Sequence, residues 1–273
     1  MQILISFLLV ALSVFSIEAK PHIASRIAGG EFYKPKEYPF MVGLGNVTSD
    51  GYDPICGGSI ITPNHVITAA HCTVNLTANK IVVLLETHDR KRPNSKDGVI
   101  EVARIQQHPK FNYGTAFNDI AIVTVASPIK FNKNIGRVCL LRPGLDLTGK
   151  TVTVLGYGRE EFKGSMITTP KKLDSTVISN AKCRADWYPG KSINSTQLCT
   201  HSDGEASCKG DSGGPLVLRV PKTNEYTLVG VVSYGILGCT DDIPDVNTRV
   251  ASFIPWIEEQ IADSGVAGKP CYS

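Results

Sequence analysis

Eight cysteines, Cys56, Cys72, Cys139, Cys183, Cys199, Cys208, Cys239 and Cys271, stand behind an apolar leader in this chain. An even set of thiols that enters the secretory route is expected to oxidise, and disulfides restrict a chain to folds that bring distant segments together. The leader, Met1 to Ala19, holds a largely apolar run from Ile3 to Ile17. That run is short for a bilayer span and is followed by the small residue Ala19, so residues 1–19 read as a signal peptide rather than a membrane anchor. No Lys or Arg precedes the run, and Ile17 occupies a position where a small residue is usual. A metal-site reading of the cysteines would need close pairs such as C-x-x-C, which are absent, so no metal is expected. The triplets beginning at Asn46, Asn75 and Asn194 fit a glycosylated surface. The expectation is a secreted, extracellular protein with no membrane segment once mature.

Charge narrows the function classes further. Lys and Arg number 28 against 25 Asp and Glu, and the basic residues are scattered, so neither a nucleic-acid footprint nor a polybasic membrane patch is expected. Short segments rich in Val, Ile, Leu and Thr recur between Gly, Pro, Asn and Asp clusters: 58–62, 65–69, 80–85, 120–125, 151–155 and 226–232. This is an all-β pattern. Helical spacing is clear only near the C-terminus, where Phe253, Ile254, Ile257 and Ile261 share one face of a helix expected from about Ser252 to Ala262. There is no repeat or low-complexity tract, and the stretch 140–150, with Pro143, Gly144 and Gly149, is the natural join between two β units.

Three segments carry chemistry. Cys208-Lys-Gly-Asp-Ser-Gly-Gly-Pro215 sets Ser212 between glycines, where the backbone can turn sharply and direct N–H groups at a carbonyl. Ile67-Thr-Ala-Ala-His71-Cys72 offers a histidine beside a cysteine that would pin it. Phe117-Asn-Asp119-Ile-Ala-Ile-Val123 places an aspartate at the mouth of an apolar strand, a costly position unless its charge is hydrogen-bonded. Singly, each suits a turn, a packed histidine or a cap.

Together, in order, the segments beginning at Ile27, Thr68, Asp119, Gly210 and Ser233 resemble those of the chymotrypsin and trypsin family of serine proteases, across the whole mature chain. The resemblance implies two antiparallel six-stranded β-barrels with a C-terminal helix, divided as residues 27–140 and 141–273. It implies a serine endopeptidase acting on proteins or peptides through an acyl-enzyme, with no cofactor, as a monomer open to protein inhibitors. Following the family's well-established template, Ser212 is the nucleophile, His71 the general base and Asp119 the carboxylate that orients it. The N–H groups of Gly210 and Ser212 form the oxyanion hole, and Ser233 helps satisfy Asp119. Residues 20–26 become an activation peptide: an activating protease cuts after Arg26, and the freed Ile27 ammonium pairs with Asp211. A secreted homologue that binds without catalysis is the competing class.

The same resemblance pairs Cys56 with Cys72, Cys183 with Cys199, and Cys208 with Cys239. In chymotrypsin the cysteine resembling Cys139 holds the propeptide, but residues 20–26 contain no cysteine, so Cys139 is expected to tether the C-terminal tail through Cys271. Intermolecular pairing is the alternative.

The substrate pocket departs from the family. Ala206, followed by Ser207, stands where trypsin carries an Asp, and Asp245 replaces a glycine on the opposite strand. Asp245 is expected to enter the pocket from its back wall, a pattern similar to that of broad-specificity crustacean collagenolytic proteases. That implies cleavage after Lys and Arg and also after large apolar residues. A chymotrypsin-like preference alone is the runner-up, and an Asp245 facing solvent is the bland alternative. Gly235 fits the open wall along which a substrate strand pairs, Tyr234 offers an aromatic platform, and Lys209 lies at the pocket mouth. Glu86 sits near where some members begin a calcium loop, but 89–96 is basic and lacks a clear second carboxylate.

Overall fold

The apolar segments form fourteen strands and two α-helices in a computed structural model that describes residues 30–86, 98–159, 165, 167–188, 190–204, 206–221, 223–236 and 242–273. The strands are β1 (Glu31–Phe32), β2 (Met41–Thr48), β3 (Gly51–Thr62), β4 (His65–Thr68), β5 (Ile81–Leu84), β6 (Val99–Gln107), β7 (Ala121–Val125), β8 (Cys139–Leu140), β9 (Thr151–Gly156), β10 (Lys171–Ile178), β11 (Gln197–His201), β12 (Pro215–Arg219), β13 (Tyr226–Tyr234) and β14 (Asp245–Arg249). The helices are α1 (Asn180–Asp186) and α2 (Ile254–Asp263).

Strands β2-β3-β4-β7-β6-β5 close into one antiparallel barrel, with β5 returning onto β2. Val42, Leu44, Ile60, Val66, Ile67, Val83 and Ile122 of these strands are all fully buried. Strands β9-β10-β11-β14-β13-β12 form the second ring, closed by the pairing of β12 with β9. The period-2 logic is plain in β10, where Leu173, Ser175 and Val177 face inward while Asp174 and Thr176 face solvent. This is the chymotrypsin fold.

Two short strands blur the division of the chain at residue 140. β1 pairs with β10, and β8 lies parallel to β13, so both join the second barrel's sheet although they flank the first barrel in sequence. Strands this short have no periodicity to read. The C-terminal helix also differs in its start: residues 250–253 make a tighter 3-10 turn, and α2 begins at Ile254 with Pro255 in its first turn, where a missing N–H costs nothing. Its Ile254, Ile257 and Ile261 are buried as the spacing implies.

The barrels deliver their strand ends to one place. β4 and β7 are antiparallel neighbours with Thr68 opposite Ala121, so the end of β4 and the start of β7 emerge together. β12 and β13 are paired with Pro215 opposite Val231, which brings the residues before β12 beside the last turn of β13.

Candidate active site

His71 sits in the 3-10 turn Ala70–Thr73 that follows β4, and Asp119 lies just before β7. Asp119 is 1% exposed, and its carboxylate is hydrogen-bonded by three groups. The His71 backbone N–H donates to Oδ1 at 2.9 Å, His71 Nδ1 lies 2.7 Å from Oδ2, and the Ser233 hydroxyl donates to Oδ2 at 2.5 Å. These bonds offset the desolvation that burial of a carboxylate imposes. Oδ2 can only accept, so the proton belongs on Nδ1 and Nε2 is left with its lone pair, the state a general base requires. Nε2 lies 3.7 Å from Cys72 Sγ, a disulfide sulfur with little to offer it. The second barrel adds a bond absent from any sequence signal: Thr248 Oγ1, on β14, donates to the Asp119 carbonyl at 2.7 Å.

Ser212 is partly exposed in the turn before β12 and is fastened to the His71 side through backbone. Gly57 N–H donates to the Ser212 carbonyl at 2.8 Å, and the neighbouring Cys56 is bonded to Cys72, adjacent to His71. Gly213 explains the run of glycines. Its φ is 75°, and a Cβ there would strike Thr68 Oγ1 and come within 2.6 Å of the Gly57 carbonyl. Only glycine lets the serine loop pack this closely on the histidine turn. Gly210, at φ 111°, precedes Asp211, which is fully buried; its Oδ1 accepts from Gly158 N–H at 2.7 Å and its Oδ2 from Cys208 N–H at 2.8 Å. Arg26 and Ile27 lie outside the described residues.

Of the residues expected to line the pocket, Ser207, Gly235 and Asp245 lie together. Ala206 and Ser207 are buried, and Asp245 turns inward: Ser207 N–H donates to its Oδ2 at 2.9 Å. Its Oδ1 lies so near the Cα of Gly235 that a Cβ at that position would collide with it. Burial, opposed by the Ser207 hydrogen bonds and assisted by the nearby Asp211 charge, pushes the Asp245 carboxyl up to about 7. Asp245 is partly exposed, with one carboxylate oxygen turned to Ser207 and the other to Gly235. Tyr234 stacks edge-on against Trp187 with centroids 5.5 Å apart, and Lys191 lies over its ring; neither Trp187 nor Lys191 carries a motif that would have singled it out. Lys209 is exposed, and its carbonyl accepts from Arg159 N–H at 3.0 Å.

Disulfides join Cys56 to Cys72, Cys139 to Cys271 and Cys183 to Cys199. Cys208 is also disulfide-bonded, while Cys239, its expected partner, lies outside the described residues. One grouping of metal-capable side chains occurs among the described residues, Cys56, His71 and Cys72, and its two sulfurs are spent in a disulfide. Glu86 accepts a hydrogen bond from Asn134, and residues 89–96 lie outside the described residues. Of the glycosylation candidates, Asn75 stands exposed in a turn with φ 59°, Asn46 lies on β2, and the Asn194 Oδ1 is engaged by Thr196.

Comparison with known proteins places this geometry in a lineage. The family model described as Trypsin matches residues 27–257. A venom serine protease of Polistes dominula is 35% identical over 240 residues, covering 85% of this chain and 84% of that protein. Venom serine protease 34 of Apis mellifera is 31% identical across 88% of this chain, and the serine protease filzig of Drosophila melanogaster 34% identical across 87%. The chain spans 60% and 14% of those two longer proteins. It belongs to the trypsin family and is a serine endopeptidase.

Proposed function

We propose that this endopeptidase is secreted as a zymogen, is activated by cleavage after Arg26, and hydrolyses peptide bonds through Ser212, His71 and Asp119. The observation that carries this reading is the hydrogen-bond chain from Ser233 through Asp119 to His71 Nδ1, set beside a serine loop pinned to Gly57. His71 takes the Ser212 proton as the hydroxyl attacks the carbonyl, then returns it to the leaving amine, while Asp119 stabilises the imidazolium between those events. The N–H groups of Gly210 and Ser212 receive the oxyanion, each contributing about 3 kcal/mol to the transition state. Activation acts on Asp211: a new Ile27 ammonium beside this buried carboxylate would form an ion pair and fix the loop that carries both donors.

The pocket supports a mixed preference for the residue before the cut. A carboxyl poised near 7 stands ionised in part of the molecules, suiting Lys or Arg, and neutral in the rest, suiting Leu, Phe or Tyr. Secretion is supported by the leader and by relatives named as venom proteases. Among the described residues, no helix is long and apolar enough to cross a membrane.

The test is to cut the purified precursor after Arg26, titrate it with a fluorophosphonate and profile it on a peptide library. Activity should appear only after cleavage and vanish in Ser212→Ala, with a loss of at least about a thousandfold. Silence of the wild type after verified cleavage would assign the chain to the binding homologues instead.

A further inference from the structure

Lys191 holds its ammonium against two aromatic rings. Nζ lies 4.0 Å from the Tyr234 ring centroid and 5.4 Å from that of Trp187. Both rings are anchored: Trp187 Nε1 donates to the Pro244 carbonyl at 3.0 Å, and the Tyr234 hydroxyl accepts from Gln197 Nε2 at 3.4 Å. Lys182 pairs with Asp186 and Lys172 with Glu31 and Glu37, whereas Lys191 meets no carboxylate among the described residues. Partial burial pulls its pKa below the ordinary lysine range. The two ring faces stabilise the partly exposed cation through their quadrupoles and leave its N–H donors open to a carboxylate acceptor.

The position of those rings gives the cation its meaning. Tyr234 stands in sequence between Ser233, which bonds the buried Asp119, and Gly235, which packs on Asp245. Burial and, more weakly, the Asp119 charge raise the pKa of the Tyr234 hydroxyl, so this side chain lies near the reacting groups. The family resemblance implies that a peptide whose side chain fills that pocket pairs along the wall at Gly235 with the residues before the cut. We propose that Lys191 is a specificity-determining residue that selects substrates carrying Asp or Glu within a few residues before the cut bond. The assignment rests on the pocket reading above only for its direction along the substrate.

The test uses internally quenched peptides with Glu or Gln at each position before the cut, the residue at the cut itself held fixed. The Glu-to-Gln ratio of kcat/KM is read within each variant, so changes in active fraction cancel. Wild type should favour Glu about fivefold at one position, the size of a partly exposed ion pair. The ratio should fall to one in Lys191→Met, persist in Lys191→Arg, invert in Lys191→Glu, and shrink in high salt. A wild-type ratio of one at every position, or a ratio unchanged in Lys191→Met, overturns the proposal. A pocket without mixed preference would show when the residue at the cut is varied, and leaves the Glu-to-Gln ratio readable.

Discussion

Under the proposed function a single carboxyl, Asp245, sets what the pocket tolerates; its Oδ1 lies close to Gly235 and its Oδ2 takes the Ser207 N–H. With its pKa pushed up to about 7, it is mostly neutral below neutrality and mostly ionised above it. The ratio of kcat/KM for an Arg substrate over a Leu substrate, alike elsewhere, should therefore climb as pH rises through about 7. Ionisations that act equally on both substrates cancel in the ratio, and kcat/KM reports the free enzyme. Asp245→Asn should flatten the curve; a ratio that ignores pH in wild type would mean the carboxyl stays in one state throughout. At this scale the sequence was informative wherever chemistry demands a residue type. His71, Asp119 and Ser212 stand in motifs, and Asp245 drew notice by replacing glycine. Thr248 and Lys191 did not, because a threonine on a strand and a lysine in a loop have common structural uses, and only tertiary placement gives them another.

Elements were legible in proportion to their apolar content. β4, β5 and β7 are unbroken runs and were readable, as was the buried face of α2. β6 alternates imperfectly, since Glu101 and Arg104 face outward beside a register shift, and α1 is a short helix of 7 residues whose Lys182 N–H donates to the Ser179 hydroxyl. The first residue of β4 shows how elements lock together. His65 is fully buried, its Nδ1 2.7 Å from Thr62 Oγ1 on β3 and its Nε2 2.9 Å from Ser264 Oγ at the end of α2. Burial pushes its pKa down to about 4, below the ordinary histidine value, so the unfolded chain binds a proton more readily than the folded one. Stability from this site is complete above about pH 6.5 and declines as pH falls toward 4, by up to about 3 kcal/mol. Denaturant unfolding of wild type and His65→Gln across that range should give curves that converge on acidification. Parallel curves would show that the imidazole does not titrate differently on folding.

At the level of the whole molecule, the last ten residues stitch the two barrels together. Ser264 and the Ala267 carbonyl meet His65 and Asn64 of the first barrel. Tyr272 and Ser273 then run beside β8 and β13: Leu140 N–H donates to the Cys271 carbonyl at 2.8 Å, Ser273 N–H to the Leu140 carbonyl at 3.1 Å, and the Ser273 and Thr227 hydroxyls lie 2.6 Å apart. The Cys139–Cys271 bond closes a sequence separation of 132 residues over this strap. A loop of that length constrains the unfolded chain by about 5 kcal/mol in the chain-entropy account, less here because Cys183–Cys199 already shortens it from within. Replacing both cysteines by serine, so that no lone thiol is left, should lower the thermal midpoint of the mature enzyme by roughly 5 to 10 °C. The number of titratable active sites per folded molecule should not change, since the contacts of His71, Asp119 and Ser212 involve none of these residues. A falling titre at constant midpoint would instead mean that the strap holds the barrels in register for catalysis. An unchanged midpoint would mean that the tail's hydrogen bonds, rather than its covalent closure, hold the C-terminus in place.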